Sequence, residues 1–130
     1  MALDRLPVYN RTRMLFLQLE ASTKKLPINI KRGYLAKTEE AVISVLEHLA
    51  FADEAMADPR RRLAFIAAAQ KIMRKVEIRV RIMYDLHYIK KSGLSALMLL
   101  EDDVMRQLAG WYLSTEKEIE KENNILPAAQ

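Results

Sequence analysis

The chain contains no cysteine, which excludes a disulfide scaffold, a thiolate zinc site and a cysteine nucleophile together. Glycine and proline are scarce, 3 and 4 of 130 residues, too few for many short strands joined by tight turns. Uncharged runs such as residues 41–45 fall far short of the ~20 residues needed to span a bilayer, so no membrane association is expected. The first residues, with Asp4 and Arg5 ahead of Pro7, lack the apolar run of a signal peptide. A cytoplasmic location is the expectation.

What is present is enough for one core. Hydrophobic residues make up 51% and charged residues 29% of the 15.0 kDa chain, the composition of a single globular domain. The formal net charge of +4 conceals a block pattern. Residues 1–37 carry net +6, residues 38–58 net −6 with six acids and no base, residues 59–91 net +8, and residues 92–130 net −4. Alternating blocks suit neighbouring elements of opposite field, with one strongly basic element on display.

Apolar residues recur at helical spacing in four segments. Val8, Tyr9, Thr12, Leu15, Phe16 and Leu19 follow the i, i+3, i+4, i+7 rule of an amphipathic helix, as do Tyr34, Leu35, Thr38, Ala41, Val42, Val45, Leu46 and Leu49. The spacing predicts helices over about 8–25, 30–55, 59–91 and 95–122. Pro7 and Pro59 fit first-turn positions, Asp58 fits an N-cap, and Ser92-Gly93 reads as the third helix's stop. Ser95 is the candidate N-cap of the last helix. Residues 1–122 then form one domain, and residues 123–130, with Pro127, read as a flexible tail. Short connections make consecutive helices antiparallel neighbours, so the expected fold is an all-α, up-down four-helix bundle.

The third helix is the informative one. Its core face holds Phe65, Ile66, Ala69, Ile72, Met73, Val76, Val80, Met83 and Tyr84. Its opposite side places Ile78, Ile82 and Ile89 in line between bases, which predicts a subunit interface. The candidate phosphate-binding residues are Arg60, Arg61, Lys71, Arg74, Lys75, Arg79 and Arg81. With Phe65 and Tyr84 on the core side, contact is expected to phosphates, with little sequence readout.

Tools for catalysis are few. His87 falls on the predicted core face, and His48 follows Glu47 at an adjacent position that does not face it. No Glu-x-x-His pair of the di-metal bundles occurs, and no glycine-rich loop could cradle a nucleotide. Glu101-Asp102-Asp103 reads as a solvated acidic turn. No catalytic residue, metal or cofactor is expected.

Four motifs in order carry a resemblance. Lys25-Leu26-Pro27 precedes Lys31-Arg32-Gly33-Tyr34; Arg81-Ile82-Met83-Tyr84-Asp85-Leu86 closes the third helix; Gln107-Leu108-Ala109-Gly110-Trp111-Tyr112-Leu113-Ser114 lies in the fourth. From Tyr9 to Ser114 the chain resembles the accessory variability determinant (Avd) proteins of diversity-generating retroelements. The resemblance implies a homopentameric barrel with a basic surface. It also implies binding to a reverse transcriptase and to RNA or DNA without strong sequence preference, in support of mutagenic cDNA synthesis and retrohoming. The ribosomal-RNA intervening-sequence proteins share the bundle. Their Pro-x-Asn-Ile-Ala-Glu-Gly-like element is replaced here by Ala41-Val42-Ile43-Ser44-Val45-Leu46-Glu47. That second family implies the alternative, a structural or protein-interaction module without nucleic-acid binding. The acidic stretch from Glu116 to Glu122 departs from a uniformly basic surface.

Overall fold

The computed structural model describes residues 2–128, and among them every regular element is helical. After a 3-10 turn at Ala2–Arg5 come α1 (Pro7–Ser22), α2 (residues 28–54), α3 (Pro59–Asp85) and α4 (Lys91–Ala128). Within α2 a single α-turn, Ile28–Ile30, passes through a π segment, Lys31–Leu35, into the regular run Ala36–Glu54. The helices pack as a square: α1 on α2, α2 on α3, α3 on α4 and α4 back on α1. Cross-contacts fix the antiparallel order, with Tyr34 near the start of α2 bonded to Arg79 near the end of α3. The expected all-α bundle is therefore the fold.

One core fills the square. Leu15 and Leu19 of α1, Val42, Val45 and Leu49 of α2, Ile66, Met73 and Val76 of α3, and Leu97, Val104 and Leu108 of α4 are all buried. Each set follows the apolar stripe of its helix. Thr12 and Thr38 can sit on the stripes because their hydroxyls donate to Val8 O (2.8 Å) and Tyr34 O (3.0 Å), so neither goes unsatisfied in the core. Asp58 caps α3 as expected, its Oδ1 accepting from the Arg61 N–H at 3.2 Å, and Pro59 occupies the first turn.

The predicted end of α3 needs correction. The helix stops at Asp85, not near residue 91, and Ser92 and Gly93 belong to the first turn of α4. His87, at φ 64°, takes the left-handed position where glycine is usual. Its N–H donates to Tyr84 O (2.9 Å), and the Tyr88 N–H donates to Met83 O (2.8 Å), the two bonds of a Schellman closure. Gly93 has another reason to be small: a Cβ there would lie 2.9 Å from Ser22 Oγ, where α4 passes α1. Ser95 lies inside α4, not at its cap. The tail expected from residue 123 is helical through Ala128, and residues 129–130 lie outside the described part. No helix among the described residues is long and apolar enough to cross a membrane.

A left-handed conformation disfavours any side chain with a Cβ. His87→Gly should therefore stabilise the fold by about 1 kcal/mol, and His87→Val should destabilise it. Urea unfolding midpoints of the three proteins check the order.

Candidate nucleic-acid and assembly surface

Because α3 buries its stripe between α2 and α4, the bases on its other side reach solvent, and the structure divides them by partner. Lys71, Arg74 and Lys75 are exposed and make no ion pair among the described residues. Arg79 is half-buried, its guanidinium 5.5 Å from the centre of the Tyr34 ring, while the Tyr34 hydroxyl donates to Arg79 O at 3.3 Å. Arg81 lies 5.8 Å from the Tyr84 ring centre and 4.0 Å from Asp85 Oδ1. The ring contacts hold each guanidinium in place and leave its charge available, while Asp85 answers part of the Arg81 charge.

Of the two bases at the start of α3, Arg60 is ion-paired and Arg61 is exposed without an ion pair among the described residues. Arg60 Nη1 meets Glu122 Oε2 at 3.0 Å and its Nη2 donates to Asn123 Oδ1 at 2.7 Å. Arg61 sits over Phe65 at 5.7 Å. Next to them Arg62 is almost fully buried, 1% exposed. It donates to Met56 O (2.8 Å), to Thr115 Oγ1 (3.2 Å) and to the carboxylate of Glu118. It ties the far end of α4 to the α2–α3 turn and is structural. Phe65, expected on the core side, is half-buried and packs with His48 (6.3 Å) and with Phe51 (5.4 Å), itself 44% exposed.

The predicted interface residues separate too. Ile78 and Ile82 are 61% and 40% exposed and lie one turn apart. Ile89 does not join them. The chain has left the helix by then, and Ile89 turns into the core at 4% exposure. For the same reason His87 is exposed and not on a core face.

Glu101 is not part of a solvated turn. It occupies the α4 stripe between Leu97 and Val104, is 3% exposed, and its Oε2 has no hydrogen-bond partner among the described residues. Burial, then the nearby Glu77 and Asp102 carboxylates, push it from an ordinary 4.5 up to about 8. Glu77 is also raised, by burial above all, with the Arg74 charge opposing. On the other side of the bundle, burial and the Glu20 carboxyl push Glu39 up to about 7. No group of three or more His, Cys, Asp or Glu side chains among the described residues is placed to hold a metal ion. His48 Nδ1 lies 2.7 Å from Ser44 O, which occupies that ring nitrogen.

An open cleft of about 610 Å³ lies between the end of α1 and the α3–α4 loop, lined by Lys24, Lys25, His87, Tyr88 and Lys90 among others. It depends on where α3 ends, which spacing alone misplaces. Compared with protein-family models and with curated proteins, the chain matches none.

Two outcomes follow from the buried polar groups. Between pH 4.5 and about 8 the folded chain holds the Glu101 proton that the unfolded chain has released. Stability is then complete below pH 4.5 and falls as pH rises through that window, by at most about 1.4 kcal/mol per pH unit. In urea unfolding measured from pH 5 to 9, Glu101→Gln, neutral throughout, should remove the decline above about pH 7, while below it Glu39, raised to about 7, keeps its own share of the fall. Arg62→Ala should destabilise by about 3 kcal/mol through the void and the unpaired Thr115 and Met56 groups. Arg60→Ala, whose pair is half in solvent, should cost less than about 1 kcal/mol.

Proposed function

We propose that this chain is a non-catalytic accessory protein that binds RNA or DNA through the outward bases of α3 and acts beside a reverse transcriptase in a diversity-generating retroelement. The observation that carries the nucleic-acid part is the array Lys71, Arg74 and Lys75, exposed and without ion pairs among the described residues, continued by Arg79 and Arg81. Bases displayed along one helix release counterions from a phosphate backbone on binding, whatever the sequence. The half-buried rings of Tyr34 and Tyr84 under Arg79 and Arg81 support phosphate contact over base stacking. Support for the reverse transcriptase as partner, and for a homopentamer, is the four-motif resemblance to the Avd proteins.

A second proposal draws on Ile78 and Ile82. Two exposed isoleucines in one stripe on this face favour protein contact, and a bundle of the intervening-sequence type that serves only protein interaction would use them without binding nucleic acid.

Gel shifts with single-stranded RNA over a range of salt, and a pull-down with the cognate reverse transcriptase, separate the two. Binding that weakens steeply with salt is expected. Arg74→Gln/Arg79→Gln/Arg81→Gln should flatten the log–log salt slope by about 0.7 for each phosphate the variant no longer neutralises. No binding to RNA or to the enzyme at low salt would sink the first proposal.

A further inference from the structure

The cleft between the end of α1 and the α3–α4 loop gathers charge of one sign. Lys24 and Lys25 line it from the α1 side and Lys90 from the loop, and no acidic side chain lines it. All three lysines are exposed, and none makes an ion pair among the described residues. Like charges around a concave surface raise the local concentration of a ligand of opposite sign. The rest of the lining is largely apolar. Leu26 and Tyr88 pack against the core, and Ile89 is 4% exposed. A volume of about 610 Å³ is that of a small-molecule site.

The walls are held in place before any ligand arrives. The Thr23 hydroxyl donates to Leu19 O at 2.6 Å, and Lys31 Nζ donates to Lys24 O at 2.7 Å, so the turn that carries Lys24 and Lys25 is fixed at both ends. Ser22 Oγ accepts from Gln18 Nε2 at 2.9 Å, which leaves the Ser22 proton to donate into the cleft.

His87 is an independent observation. The Schellman closure of α3 requires a left-handed residue at this point, but it does not require an imidazole. At φ 64° a glycine would sit at lower cost, and the histidine that replaces it lines this same cleft. Residues kept in such a conformation concentrate at ligand sites.

We propose that the cleft binds a small organic phosphate of nucleoside-diphosphate size. Its phosphates lie among Lys24, Lys25 and Lys90, with His87 and Ser22 donating hydrogen bonds, and its ring lies on Tyr88 and Leu26. Two phosphoryl groups match three lysines in charge, and the apolar lining selects an organic phosphate over a bare inorganic ion. The cleft shares no residue with the α3 array, so this site and the proposed RNA binding can each fail without the other.

The test is an amide chemical-shift titration of the full chain with ADP, with inorganic pyrophosphate and with adenosine. ADP should bind with a Kd below about 1 mM and more tightly than either of the other two, with the largest shifts in residues 22–26 and 87–93. Lys24→Gln/Lys25→Gln/Lys90→Gln should weaken ADP at least about tenfold, the loss of several charge-assisted contacts, and leave helical circular dichroism unchanged. His87→Gly should weaken ADP while raising the urea midpoint, a split that a purely structural histidine would not produce. Arg74→Gln/Arg79→Gln/Arg81→Gln should lower RNA affinity and leave ADP affinity alone. No ADP binding at millimolar concentration, pyrophosphate binding as tightly as ADP, or ADP binding indifferent to the lysine or histidine substitutions would each overturn the proposal, as would loss of ADP binding in the α3 variant.

Discussion

Everything in this molecule depends on four apolar stripes closing on one core. A helix in a square bundle touches two neighbours and gives up one side to them, so the remaining side has no partner inside the chain. For α3 that constraint is severe. Ile66, Ala69, Met73, Val76, Val80 and Met83 are all buried, so most of its bases have nowhere to go but outward. The display of positive charge is a result of packing before it is a property of function, and any role given to the charge must begin from the geometry of that one exposed side.

The bundle is stitched at its ends by polar contacts more than by its middle. Arg62, with Thr115, Met56 and Glu118, joins the α2–α3 turn to the distal part of α4. At the other end Tyr34 spans from α2 to the Arg79 backbone. A buried guanidinium is weak evidence for stability, since replacing it with apolar side chains is often neutral. Its geometric demand, however, fixes which turn of α4 meets the α2–α3 corner, as an all-apolar contact would not.

Most of the fold is legible in the sequence because spacing reports burial directly. The stripes through Leu15, Val45, Met73 and Leu108 all face the core, and Asp58-Pro59 opens α3 as its chemistry demands. The buried charges escape a reading that weighs residue type above position. Arg62 stands four residues before Ile66, and Glu101 stands between Leu97 and Val104 at helical spacing. Both are on their stripes and both are buried, yet a charged side chain argues for solvent. The end of α3 is hidden for the opposite reason. Gly93 has the residue type of a stop, whereas a histidine takes the left-handed position six residues earlier. That displacement puts His87 and Ile89 on faces other than those a continuous helix would give them. Of the surface, the signs of the two helices are readable, but which bases are engaged is not, because Arg60's contact with Glu122 joins residues far apart in the chain.

The formal charge of +4 assigns every carboxyl group its ionised form. Glu101, held at about 8 inside the bundle, keeps its proton at neutral pH. The folded chain is accordingly more positive at neutral pH than its composition states, through Glu101 and in part Glu39, and more positive than its own unfolded form. Folding near pH 7 thus draws a proton from the buffer, and the apparent heat of unfolding will vary with the ionisation enthalpy of whichever buffer supplies it.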